Sequence, residues 1–229
     1  MSNRDPLQLA RRLGLAGALV LAGTLGVWPS AAQGADPVAA LFWLSVLAPC
    51  AGALAAASGV LLLPLGWLVP VLWTLPVLWA SHPARPLPSP LWSLLAWTGL
   101  FAAGSALGEA ARRRGWNIRS AAALALVAAG ALAVLPARAA LDARPWPPSV
   151  ARALLDLSPS ALVIECAGVD WMRHAAVYDP AGTDRFARRP WPGELAGPAV
   201  LLVGCALAAA ARRVPVRRTS TPAGPVPPR

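Results

Sequence analysis

The chain has 229 residues, 57% of them hydrophobic and only 13% charged, with a formal net charge of +10. Soluble domains carry about 25% charged residues, and apolar runs of ~18 residues or more mark membrane spans. That balance excludes an ordinary soluble domain, and the lack of alternating strands of ~10 residues argues against an outer-membrane barrel. An all-α integral membrane protein is left.

The first apolar segment covers residues 13–29, preceded by Arg4, Arg11 and Arg12. Its basic start, apolar middle and small-residue "SAAQGA" also resemble a secretory signal. An uncleaved anchor is the expectation adopted, and both alternatives leave residue 38 starting outside. Residues 38–80 then run without a single charge. As one helix they would reach ~64 Å, about twice a hydrocarbon core of ~30 Å. Two spans are therefore expected, over 38–57 and 59–80, turning at Ser58-Gly59. Pro49, Pro64, Pro70 and Pro76 interrupt them. Each removes a backbone donor, which favours buried, kinked packing helices.

Spans over 90–108 and 120–137 follow, and a short last span over 198–211 completes six. Residues 1–137 thus form the main membrane domain, and the basic, Pro-rich segment 212–229 is expected to be a disordered tail. Gly104 and Gly108 form a small-xxx-small pair that allows close helix approach, within the chain first and between copies second.

Arginine placement orients the spans. Arg4, Arg11 and Arg12, the group Arg112, Arg113, Arg114 and Arg119, and the group Arg212, Arg213, Arg217, Arg218 and Arg229 all fall on one side of a six-span chain. Short basic loops stay cytoplasmic, so both termini are expected inside a bacterial inner membrane. The basic excess then faces anionic lipid headgroups, and no aromatic-interleaved basic surface points to nucleic acid. Trp28, Trp79 and Trp92 fall near the outer ends of spans, where indoles anchor at headgroup level.

The segment 138–197 is expected outside, as a loop of short helices. "SVARALLDLSP" reads as a short amphipathic helix, with Arg152 and Asp156 at i,i+4. "SPSALVIECAG" offers Ser158 as N-cap, Pro159 in the first turn and Gly168 as a stop, a helix too short to span. The polar stretch 168–186 contains Trp171, His174 and Tyr178, with Trp171 a further interface anchor. If one helix continued through it, Cys166, Asp170, His174 and Tyr178 would share a stripe. Cys166, Asp170 and His174 are thus the candidate metal or nucleophile-and-base set. Gly168 and an Asp170 cap argue that the helix breaks instead, leaving a folded structural loop with no cofactor.

No Asp, Glu, Arg or His lies within any expected span, which disfavours ion-coupled transport. In span number, orientation and outer-loop position the chain resembles the membrane half of ABC-2 type export permeases. That resemblance implies an ATPase partner docking between spans two and three, where this chain has only Ser58-Gly59. Three functional readings stand: a non-catalytic membrane component of a larger complex, such as a transport system; an export permease subunit; and a membrane-bound enzyme with an external site around Asp170 and His174. The first is carried forward, with the lipid bilayer and other membrane subunits as its partners.

Overall fold

The computed structural model describes residues 37–56, 88–141, 147–168 and 191–215. These residues form six helices and no strand. They are α1 (Pro37–Ala56), α2 (Pro88–Arg113), α3 (Ile118–Leu141), α4 (Pro148–Leu157), α5 (Pro159–Cys166) and α6 (Gly193–Ala211). The expected spans over 13–29 and 59–80 lie outside the described residues.

Local chemistry sets the ends of these helices. Arg112 and Arg113 close the last turn of α2, complementing its dipole. Gly115 follows at φ +74°, a left-handed turn open to glycine without strain. Asn117 Oδ1 accepts the Arg119 N–H at 3.0 Å, capping the start of α3. Glu194 places an acid in the first turn of α6. Helix α1 runs on through Pro49. Both α2 and α6 are longer than the apolar runs at 90–108 and 198–211, because polar and proline residues extend the helix past the hydrophobic stretch.

Three helical stretches are long and apolar enough to cross a membrane: Leu91–Arg113, Ile118–Leu135 and Gly193–Ala211. The apolar stretch Leu41–Ala56 of α1 is shorter.

The four long helices stand side by side in the order α6, α2, α1, α3. Their glycines give the directions. Gly104 sits on the backbone of Pro49 and Gly108 on that of Ala53, so α1 and α2 run parallel. Gly99 meets Val200 and Gly204 meets Gly99, while Gly197 meets Trp92, so α2 and α6 are also parallel. Val46 packs with Ala129 and Ala133, and Ala53 with Ala122 and Ala125, so α3 runs opposite to α1. The small-xxx-small pair Gly104 and Gly108 thus closes a contact inside the chain, between α1 and α2.

The interior is lined by small side chains, among them Ala48, Ala51, Ala55 and Ala96, around the larger Leu41, Leu44 and Trp97. Where apolar lipid surrounds the helices, little hydrophobic drive favours their contact. Close van der Waals packing between small residues then holds them together.

Candidate functional site

The most polar buried part of the described structure lies at the end of the bundle where α1, α2 and α6 begin. Helix α5 is seated there. Pro147 and Pro148 open α4, and Ser158, in extended backbone, ends it and starts α5. Ser158 Oγ accepts the Ala161 N–H at 3.4 Å, Pro159 occupies the first turn, and Gly168 at φ +71° closes the element. The residue chemistry of "SPSALVIECAG" dictates each of these steps.

The sequence places this helix, too short to span, in the outer loop and leaves its burial open. In the structure α5 is enclosed by protein, with Pro159, Ser160, Ala161, Val163, Ile164, Glu165 and Cys166 all buried. Val163, Ile164 and Cys166 belong to the same apolar cluster as Leu41, Leu44 and Trp97 of α1 and α2. Ser93 Oγ of α2 donates to the Val163 carbonyl at 3.2 Å, and Ser158 and Ser160 hydroxyls pair at 3.0 Å.

Glu165 is the residue that sequence reasoning passed over. It is only 5% exposed. The backbone N–H of Trp191 donates to its Oε2 at 3.0 Å, and the indole Nε1–H of the same tryptophan donates to Asp156 Oδ1 at 3.0 Å. Trp191 therefore ties α4 and α5 to the residue that leads into α6. A single acid in the mostly apolar octapeptide "PSALVIEC" was the available signal. Its partner could not be read, because it lies 26 residues further along the chain.

Burial and then the Glu165 carboxylate push the Cys166 thiol up to about 12. Both effects disfavour the thiolate, which is the nucleophilic and metal-binding form. Gly168 ends the helix, so Cys166 does not continue on one helix into the polar stretch. Asp170 and His174 lie outside the described residues, as do Trp28, Trp79 and Trp171. Among the described residues no group of three or more His, Cys, Asp or Glu is placed to hold a metal. Trp92 is half-buried and packs on the core cluster, with Gly193 and Gly197 closing over it.

Two expected outcomes follow. Cys166 should resist alkylation by iodoacetamide at pH 8 in the detergent-purified native protein and react after denaturation in sodium dodecyl sulfate. Peptide mass spectrometry reads this directly, and rapid native labelling would show the thiol accessible. For Glu165, replacement by Ala removes a buried acceptor and should lower stability by about 1–3 kcal/mol. Glu165→Gln keeps an acceptor for the Trp191 N–H and should lose less. Thermal unfolding in detergent compares the two, and equal losses would mean that the Trp191 bond contributes little.

No known protein family matches the chain, and no curated protein or solved structure is detectably similar to it.

Proposed function

We propose that the chain is a six-span, non-catalytic component of a larger complex in a bacterial inner membrane, serving a transport system, with both termini cytoplasmic. The observation that carries this reading is the contrast between a filled interior and two broad apolar flanks. Between α1, α2 and α6 the helices meet backbone to backbone at Gly52, Gly99, Gly104, Gly108 and Gly204. On the outside, Leu124, Val127 and Val134 of α3 and Leu195, Leu202, Val203 and Leu207 of α6 are exposed. Such flanks suit lipid and neighbouring subunits.

Helix directions support the topology. A connection from Ala56 to Pro88 has to lead from the end where α1 finishes back to the end where α2 begins, as a span over 59–80 would. Arg113 Nη1 donates to the Val214 carbonyl at 3.0 Å, so the arginine groups after α2 and after α6 share one end of the bundle. That is the end the charge rule assigns to the cytoplasm.

The test of function is purification in mild detergent with mass-spectrometric identification of what elutes in fixed ratio. One or more other membrane proteins in stoichiometric amount is the expected result. A homogeneous single-chain particle would overturn the reading. A stoichiometric ATPase would move it to an export permease subunit, and a bound metal to an enzyme. The orientation has its own check, by single-cysteine labelling without the native cysteines in intact, outer-membrane-permeabilised cells. An impermeant reagent should reach position 184 and not position 220.

A further inference from the structure

At the end opposite α5, six arginines lie in the end turns of the helices or just beyond them, and Glu109 is the one carboxylate beside them among the described residues. Arg112 and Arg113 end α2, Arg114 follows, Arg119 lies in the first turn of α3, and Arg212 and Arg213 follow α6. The Arg113–Val214 hydrogen bond brings the α6 end against the α2 end. Glu109 pairs with Arg112 and Arg113, each at 2.6 Å, so these two already share a carboxylate partner. Arg114, Arg119, Arg212 and Arg213 are exposed, and none of the four forms an ion pair among the described residues.

A tryptophan completes the group. Gly115 turns the chain, and the Trp116 N–H returns to the Ala111 carbonyl at 2.8 Å. The Trp116 side chain is left 56% exposed, with the Arg114 guanidinium 5.6 Å from its ring centre. An indole with an apolar body and an N–H tip favours the headgroup level. The guanidiniums beside it suit phosphate oxygens, to which they can donate in pairs. The corner also lies at the ends of three helices long and apolar enough to span, where α2 and α6 finish and α3 begins. A ligand held here would therefore bring its own acyl chains into the same layer.

We infer that the corner formed by Arg114, Trp116, Arg119, Arg212 and Arg213 is a binding site for an anionic phospholipid headgroup. A lipid phosphate there bridges the α2–α3 turn and the end of α6. This fixes the relative position of α2 and α6 at that end, as Trp191 does through α4 and α5 at the other. The inference rests on the membrane assignment of these helices and does not depend on which leaflet they meet.

The test uses the full chain purified in a neutral detergent, with added phosphatidylglycerol in the mixed micelle. A ligand that binds the folded form raises the melting temperature. The expected rise is about 4 °C or more with phosphatidylglycerol and close to none with phosphatidylcholine. The variant carrying Arg114→Gln, Arg119→Gln, Arg212→Gln and Arg213→Gln together should keep its melting temperature in neutral lipid and lose the phosphatidylglycerol increment. Arg152→Gln, at the opposite end, should keep it.

An unchanged increment in the fourfold variant, or none in the native protein, would overturn the site. So would an equal increment from glycerol phosphate or a short RNA, which would reveal a soluble-anion surface. If the fourfold variant fails to fold, native mass spectrometry of the unaltered protein decides. Retained phosphatidylglycerol that Arg114→Gln alone weakens supports the site, and no retained lipid overturns it. Micelles have no leaflets, so a wrong orientation leaves these outcomes unchanged, and their failure leaves the orientation unaffected.

Discussion

Gly104→Leu is expected to prevent α1 and α2 from closing and to abolish monodisperse folded protein. A Cβ built at Gly104 already meets the Pro49 carbonyl oxygen, and the Pro49 Cα and carbonyl carbon lie 2.6 Å away. These are backbone atoms, and no rotamer change can move them aside. Ordinary overpacking costs about 1–3 kcal/mol because side chains yield. Here the helices themselves must separate, and the contacts of Gly108 with Ala53 and of Gly52 with Phe101 would go with them. Gly130→Leu is the matched control. Its nearest neighbour is Val46 Cγ1 at 3.9 Å, so the same substitution should be tolerated within about 1 kcal/mol. Size-exclusion profiles and thermal unfolding in one detergent compare the two. Equal stability of the two variants would contradict the α1–α2 contact.

Trp97→Ala is expected to cost about 3–5 kcal/mol, the range for truncating a large aromatic in a packed site. On a chain of this size that corresponds to a fall in melting temperature on the order of 10 °C. Trp97 is 1% exposed and lies within the cluster that joins α1, α2, α5 and α6. Trp43, on α1, is 49% exposed and touches Phe42 edge-on at 5.8 Å between ring centres. Trp43→Ala should therefore cost less than about 1 kcal/mol. If the order were reversed, the cluster around Trp97 would not be the core of the bundle.

Particular residues show what was legible in the sequence. Apolar runs located the four long helices within a few residues, because length and hydropathy are local properties. Ser158, Pro159 and Gly168 marked both ends of α5 through capping and left-handed-turn chemistry, which is also local. The burial of α5 was not legible. An octapeptide of eight mostly apolar residues suits a membrane interface as well as a protein interior, and only its neighbours decide. The role of Glu165 was hidden for the same reason, since its partner Trp191 belongs to a distant "PWPG" turn. Gly104 and Gly108 announced close approach, while the identity of their partners, Pro49 and Ala53, depended on the parallel arrangement of α1 and α2.

Helix α2 has two glycine faces, Gly104 and Gly108 toward α1 and Gly99 toward α6. The first is covered by a helix made earlier on the ribosome. The second waits for Gly193–Ala211, the last of the described helices to emerge. At synthesis rates of about 5–20 residues per second that wait is on the order of seconds. During it the nascent chain displays an uncovered small-residue groove in the bilayer. Quality-control proteases and membrane chaperones would have that interval in which to act on it. A chain that stops short of Gly193 keeps it open for good. Early termination would then yield a degradation substrate rather than a smaller working bundle.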